Sequence, residues 1–400
     1  MLGCIADDYT GATDLSSMLV RAGLRVVQVF GPETNVPVSD VDAVVLSLKS
    51  RSIAAADAVA MSLHALRFLQ SIGAQRFFFK YCSTFDSTPA GNIGPVAEAL
   101  GDALGIKQLW YVPSFPENGR TVYCGNLFVN RVPLNESGMK DHPLNPMRDS
   151  NLVRVLQAQC KAGVDFLPLD ELRSGNTSRL GDGHWIVDAI HDQDLQQIAL
   201  LARDQILLTG GSAVARFWME GKAKANPAAS LSAPVATVIL AGSCSIATRQ
   251  QIEAFKRVLR LDVIAASESE AAFEAVVEEA VSWCLENSPA LVASGVDSAA
   301  VAATVARLGE KRAAELTESL FARIAKDLAA RGVNRIIVAG GETSGAVVNA
   351  LGIDAIRIGE EIAPGVPCVH TLREPYLSLA LKSGNFGGTD FFMDAVRKLN

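Results

Sequence analysis

Leu2-Gly3-Cys4-Ile5-Ala6-Asp7-Asp8-Tyr9-Thr10-Gly11-Ala12-Thr13-Asp14 opens the chain. Residues 2–6 are an uncharged, largely apolar run, the pattern of a strand buried on both faces. Residues 11–22 change to helical spacing, so the acidic pair falls between a strand and a helix. Outward from this stretch the alternation continues. Strands are expected at 25–30, 43–48, 76–81 and 108–112, with helices at 54–71 and 92–104. This β-α-β rhythm predicts a parallel sheet covered by helices on both faces. Residues 123–133 break the rhythm and read as a hairpin or lid. Further strands are expected near 164–167, 185–189 and 205–208.

The segment 221–234 is rich in small and polar residues, with Pro227 and Pro234, and reads as a linker. Beyond it the alternation restarts. Strands are expected at 235–240, 261–264, 290–293, 335–339 and 377–381, and helices at 247–257, 271–285, 310–331 and 390–399. The expected fold is therefore α/β, with two domains at 1–220 and 235–400, each a mainly parallel sheet flanked by helices. A ligand cleft is expected between them.

A chain of 400 residues has ample material for two cores. No apolar run reaches the length of a membrane span, and the acidic start does not resemble a signal peptide, so a cytoplasmic protein is expected. Seven scattered cysteines without a C-x-x-C pair argue against a disulfide framework or a zinc site. A formal net charge of −7 argues against a nucleic-acid surface.

Three places in the first half carry candidate chemistry. Asp7 and Asp8 lie where ligands bind in open parallel sheets, beyond the carboxyl end of a strand. One of the pair can serve as a general base, and Thr10 and Gly11 begin a helix whose amides can hold an anion. Helix capping by an Asp is the bland alternative. Lys80-Tyr81-Cys82-Ser83-Thr84-Phe85-Asp86-Ser87-Thr88, followed by Gly91-Asn92-Ile93-Gly94, offers a cation, hydroxyls and a carboxylate suited to a polyhydroxy acid. A Ser/Thr turn with an Asn cap is the alternative there. Lys49 and Arg51 follow another strand, and the guanidinium of Arg51 can grip a carboxylate bidentately or stand solvated at the surface.

The second half contributes three glycine-and-hydroxyl turns, each at a strand end. They are Ala241-Gly242-Ser243-Cys244-Ser245, Ala339-Gly340-Gly341-Glu342-Thr343-Ser344-Gly345, and Lys382-Ser383-Gly384-Asn385-Phe386-Gly387-Gly388. Such turns let backbone amides approach phosphate, although none has the P-loop spacing. The helix after the second turn is expected to begin near Ala346. His64, His184, His191 and His370 show no partner at metal-ligand spacing, and no metal site is assigned. The loop 140–146, which includes His142, is bounded by prolines and can close over a cleft.

Taken in order, Ile5-Ala6-Asp7-Asp8-Tyr9-Thr10-Gly11-Ala12, the Lys80–Pro95 segment, Gly340-Gly341-Glu342-Thr343-Ser344-Gly345 and Lys382-Ser383-Gly384-Asn385-Phe386-Gly387 resemble the four-carbon acid sugar kinase family along almost the whole chain. The Tyr-Cys-Ser-Thr-Phe-Asp-Ser-Thr form is similar to that of the 3-oxo-tetronate members. The resemblance implies a sugar-acid-binding domain followed by a nucleotide-binding domain. It implies ATP with Mg²⁺ as cofactors, and transfer of the γ-phosphoryl group to the C4 hydroxyl of a 3-oxo-tetronate.

Ser243, Gly341, Glu342, Thr343, Ser344 and Gly384 match the family's nucleotide positions. Asp8 or Asp86 would accept the hydroxyl proton. Arg51 or Lys80 would hold the acid's carboxylate, with Asp7, Thr10, Gly11, Ser83, Thr84 and Asn92 around the substrate. Competing readings are a kinase for threonate, erythronate or a branched oxo acid, a nucleotide-responsive binding protein, and a dinucleotide oxidoreductase. The oligomeric state stays open, a homo-oligomer included.

Overall fold

The computed structural model describes residues 1–31, 40–141, 145–221, 236–294, 298–374, 376–384 and 386–399. Most of the expected linker, His142 of the expected closing loop, and Asn385 lie outside the described residues. Backbone contacts divide the chain into two compact units, Met1–Asn226 and Pro227–Asn400.

The first unit begins β1 (Leu2–Ala6), α1 (Tyr9–Arg21), β2 (Val26–Phe30), β3 (Ala43–Ser47), α2 (Ala55–Ser71), β4 (Arg76–Lys80), α3 (Ile93–Leu104) and β5 (Gln108–Val112). A small antiparallel sheet follows, made of β6 (Arg120–Tyr123), β7 (Asn126–Val129) and β8 (Val132–Pro133). The unit ends with α4 (Leu152–Gln157), β9 (Val164–Leu167), α5 (Leu169–Ser174), β10 (Gly183–Val187), α6 (Asp192–Leu201), β11 (Leu207–Gly210) and α7 (Ser212–Met219). The main strands lie in the order β2-β3-β1-β4-β11-β5-β10-β9 and all pair in parallel. One helix group joins α1, α7, α6 and α5, and another joins α2, α3 and α4. Every residue of β1 and β3 is buried, as central strands covered on both faces require.

Register decides where the chemistry falls. Ala6 stands opposite Ser47 on β3 and Lys80 on β4, and Lys80 stands opposite Gly210 on β11. The segments that leave these strands therefore emerge together at one edge of the sheet. The close pairing of β5 and β11 depends on Gly210, where a Cβ would meet the Val112 carbonyl oxygen at 2.3 Å.

The second unit runs β12 (Thr237–Ala241), α8 (Ile246–Ala254), β13 (Val258–Arg260), α9 (Val263–Ala266), α10 (Glu270–Glu286), β14 (Ala290–Ala293), α11 (Ser298–Leu308), α12 (Glu310–Ala330) and β15 (Arg335–Ala339). It closes with α13 (Gly341–Ala350), β16 (Ala355–Ala363), β17 (Val366–Thr371), β18 (Ser378–Lys382) and α14 (Phe391–Lys398). Its strands lie in the order β13-β14-β12-β15-β18-β17-β16. The first five pair in parallel, while β17 runs antiparallel to both β18 and β16. One core face joins Ile252 of α8 and Phe255, its C-cap, to Phe391, Phe392 and Ala395 of α14 over Ile239, Ile337 and Ala380. Ala241 stands opposite Ala339, and Ala339 opposite Lys382, so the three glycine turns share one sheet edge.

Three expectations from the sequence are corrected. Residues 261–264 do not form a strand: Val258–Arg260 does, and Asp262 then caps α9 by accepting from the Ala265 amide at 2.9 Å. A short apolar run is ambiguous by periodicity, and here the Asp cap decides it. α13 begins at Gly341 rather than near Ala346, and α1 at Tyr9 rather than Gly11. The antiparallel pair β16 and β17 and the helix α11 were not expected at all.

Candidate active site

The edge formed by β3, β1 and β4 gathers most of the first-half candidates around Arg51. Its Nε and Nη2 donate to the two carboxylate oxygens of Asp7 at 2.9 and 2.8 Å, a bidentate fork. Nη2 also donates to Asp8 Oδ1 at 2.6 Å, and Nη1 lies 3.9 Å from Asp86 Oδ2. Arg51 thus binds a carboxylate bidentately, and that carboxylate belongs to Asp7. The backbone secures the arrangement, because the Ser50 and Arg51 amides both donate to the Asp7 carbonyl, at 2.9 and 3.1 Å. Burial raises the Asp7 carboxyl above its ordinary value against the pull of Arg51. For Arg51, burial works against the charge, but Asp7 and Asp8 hold the guanidinium above its ordinary value.

Asp8 does cap α1: its Oδ1 accepts from the Gly11 amide at 2.9 Å. Its Oδ2 accepts from the Thr10 hydroxyl at 2.7 Å, so both oxygens are engaged. Gly11 leaves room for this cluster, since a Cβ there would lie 2.2 Å from Asp8 Oδ1 and 3.1 Å from Lys80 Nζ. Lys80 is buried and donates to the Tyr81 carbonyl at 2.9 Å. Asp86 accepts from the Thr84 hydroxyl at 2.7 Å through Oδ1. Among the described residues its Oδ2 has only the long contact to Arg51. Cys82 lies beside Thr84, and burial together with the charge of Asp86 pushes its thiol up to about 11, so it stays protonated and is no nucleophile. Ser83 is half-buried, with its Cβ 3.6 Å from a Cβ built on Gly211.

Asn92 occupies the N-cap position of α3 but makes no side-chain cap. Its Nδ2 instead donates to the carbonyls of Ser50 at 2.7 Å and Ile53 at 3.2 Å, pinning the loop that carries Arg51. The cap expected as its bland alternative is therefore not made. Removing this amide takes the short bond from the buried Ser50 carbonyl, which keeps only the Ile53 amide at 3.5 Å, and frees the loop that carries Arg51. Asn92→Ala is expected to cost about 1–3 kcal/mol, read as a lower urea midpoint at unchanged m-value with an unchanged far-UV spectrum.

In the second unit the early start of α13 matters. Residues 341–344 form its first turn; the Ser344 amide donates to the Gly340 carbonyl at 2.9 Å, while the amides of 341–343 lack intrahelical acceptors and can face an anion. Thr343 is buried against the β12 turn: a Cβ on Gly242 would meet its Oγ1 at 2.1 Å. The Gly242 and Ser243 amides both donate to the Ala339 carbonyl, at 3.0 and 3.1 Å. Among the described residues the buried Ser344 Oγ has no partner. Gly384 packs on Ser243, where a Cβ would lie 2.3 Å from the Ser243 hydroxyl. Glu342 is exposed in the same helical turn. All six nucleotide candidates therefore sit at one edge of this sheet.

Sequence reading missed one side-chain set here. Ser245, the N-cap of α8, and Thr248 and Gln251 within it lie three residues apart and hold Gly384 and residues 386–388. Ser245 Oγ and Thr248 Oγ1 donate to the Gly384 carbonyl at 2.6 and 2.8 Å. Gln251 Nε2 lies 3.0 Å from each of the carbonyls of residues 386–388. The i, i+3, i+6 spacing was no distinct signal, because Arg249, Gln250 and Glu253 make the helix polar on its other faces as well.

His184 also departs from expectation, since Glu98 and Cys160 stand beside it. His184 Nε2 lies 3.2 Å from Glu98 Oε1, while Nδ1 lies 2.8 Å from the Tyr111 hydroxyl and 3.8 Å from Cys160 Sγ. Glu98 and Cys160 thus face opposite ring nitrogens. Burial lowers His184 against the pull of Glu98 and pushes the Cys160 thiol up to about 12. A neutral ring accepting from Tyr111 and donating to Glu98 satisfies the group as a buried hydrogen-bond chain.

Comparison with known proteins agrees with this division of chemistry. Residues 2–218 match the model of a sugar-binding N-terminal domain, and residues 238–392 that of a nucleotide-binding C-terminal domain. The chain belongs to the four-carbon acid sugar kinase family. Among its relatives, the 3-oxo-tetronate kinase of Burkholderia multivorans is 46% identical, over 100% of this chain and 97% of its own. That of Salmonella typhimurium is 42% identical, over 99% of each. A crystal structure from Salmonella typhimurium LT2 superposes with a TM-score of 0.94 at 41% identity, covering 100% of this chain and 99% of that one. A Haemophilus influenzae protein gives 0.89 at 39% identity over 100% of each. No described helix is long and apolar enough to cross a membrane.

Proposed function

We propose that this chain transfers the γ-phosphoryl group of ATP to the C4 hydroxyl of 3-oxo-tetronate. The observation that carries the reading is the Arg51 cluster, in which three carboxylates converge on one guanidinium at a strand edge. Full-length relatives named as 3-oxo-tetronate kinases support the choice of acid. Residues 1–220 would bind the acid and residues 235–400 the nucleotide, in the cytoplasm.

Because Arg51 is already committed to Asp7 and Asp8, Lys80 is the better holder of the acid's carboxylate. Among the described residues its ammonium has one hydrogen bond, to the Tyr81 carbonyl, and two protons left to donate. Asp86 is the better base, since its Oδ2 is the least engaged carboxylate oxygen of the cluster. It would take the C4 hydroxyl proton as that oxygen bonds to the γ-phosphorus and the bond to the β-phosphate oxygen breaks, releasing ADP. Arg51 keeps the three carboxylates aligned. The first turn of α13 and the turns at Ser243 and Gly384 would hold the phosphates. An Mg²⁺ that keeps its waters and phosphate ligands needs few protein carboxylates, and exposed Glu342 beside the free amides fits that demand. When bound, the ion neutralises phosphate charge.

The test is ADP release with Mg-ATP against 3-oxo-tetronate, D-threonate, D-erythronate and a branched oxo acid. Turnover on the 3-oxo acid at least ~100-fold above the others is expected, and loss of that turnover with excess chelator. Preference for another acid would keep the kinase and move its substrate. No turnover on any acid, from folded protein that binds ATP, would favour a nucleotide-responsive binding protein.

A further inference from the structure

Lys382 ends β18, and its residue is only 1% exposed. Its ammonium donates to Thr248 Oγ1 at 3.0 Å, to the Gly384 carbonyl at 3.0 Å and to the Ser383 carbonyl at 3.2 Å. All three protons are thereby used. The same Gly384 carbonyl also accepts from Ser245 and Thr248. The turn beyond β18 is therefore held by its carbonyls, which point inward onto α8 and Lys382. Among the described residues no carboxylate pairs with this ammonium. Burial pulls Lys382 down to about 8, so at neutral pH it still carries most of its charge.

A buried cation without a counter-anion is costly, and carbonyl dipoles offset only part of that cost. Its surroundings indicate what offsets the rest. Lys382 lies at the sheet edge that also carries the Ser243 hydroxyl, Gly384 and the first-turn amides of α13 that have no intrahelical acceptor. This edge suits a polyanion.

Resting on the nucleotide reading above, we propose that Lys382 is a positioning residue for the nucleotide, a buried ammonium that fixes the Ser383-Gly384 turn and whose charge is balanced by the phosphates of bound ADP or ATP. A purely structural lysine would lower the stability of the unliganded chain when removed. A charge waiting for its counter-anion makes a different prediction: Lys382→Met keeps the volume and removes the uncompensated charge.

The experiment measures ADP binding by calorimetry and the ADP-induced rise in Tm for the full-length native chain and for Lys382→Met. Binding of 3-oxo-tetronate is the control. Expected is a Kd for ADP weakened at least ~10-fold, a matching loss of the ADP-induced Tm rise, and an unliganded Tm and acid Kd close to native. A folded Lys382→Met that binds ADP as the native chain does overturns the proposal, as does a lower unliganded Tm with unchanged ADP affinity. A native chain that binds no ADP overturns the nucleotide reading and this inference together. Should Lys382→Met not fold, Thr248→Val decides. It removes one acceptor of the ammonium and one donor to Gly384, so ADP affinity falls ~3-fold or more if the proposal holds, and stays unchanged if it does not.

Discussion

Asp86→Asn is expected to lower kcat about 10³-fold, within the range that removal of a general base covers, while Asp8→Asn stays within ~10-fold of native. The two carboxylates sit on the same guanidinium, but their oxygens are used differently. An asparagine at 86 can still accept from Thr84 through its carbonyl oxygen, so the turn survives. What it loses is the oxygen facing outward from that bond, 3.9 Å from Arg51. An asparagine at 8 still caps α1 by accepting from the Gly11 amide, because Asn and Asp are comparable caps. It gives up charge toward Arg51, which Asp7 continues to engage through two hydrogen bonds.

Single-turnover rates and urea midpoints for both variants separate chemistry from folding. A large loss in Asp8→Asn with near-native Asp86→Asn would exchange their roles. Near-native turnover in both would remove the carboxylate base from the mechanism, leaving alignment and charge neutralisation as its whole content.

The parallel sheets were legible because buried central strands write continuous apolar runs, as β1, β3, β12 and β15 do. The antiparallel pair β16 and β17 was not legible. β16 alternates buried and half-exposed residues, and its Arg357, Glu360 and Glu361 blur the apolar signal. The candidate site followed the same logic. Residues just beyond strand ends were found because parallel register brings those ends together. Partnerships at a distance were not. That Arg51 would spend its fork on Asp7 depends on a loop held by Asn92, forty-one residues later in the chain by the separation of Arg51 and Asn92. The role of Lys382 was hidden because its partners are carbonyls and a helix hydroxyl, which leave no sequence pattern. The early start of α13 was hidden for a related reason. Gly340 has a φ of +132° and supplies no side-chain cap, so the helix begins without the Ser, Thr, Asp or Asn signal.

Gly242→Ala is expected to weaken ADP binding at least ~10-fold and to cost about 1–3 kcal/mol, the usual cost of overpacking a tight contact. A Cβ at this position would meet Thr343 at three atoms: Oγ1 at 2.1 Å, and Cβ and Cγ2 each at 3.1 Å. Rotation of the threonine relieves the first contact and leaves the contact with Thr343 Cβ, which moves only with the backbone. That backbone is the first turn of α13, where the free amides are. The added methyl therefore pushes the β12 turn and the α13 N-terminus apart, and the amides cease to converge on one phosphate position. Because the displaced groups belong to the second unit, the affinity for the acid should be unchanged, which calorimetry with each ligand separately will read. Thr343→Ala in the same chain removes Oγ1 and Cγ2 but keeps the Cβ contact, and should return part of the lost stability. The two substitutions are then non-additive, as residues in direct contact are. Additive losses in the double variant would mean that the contact between Gly242 and Thr343 does not set the position of α13.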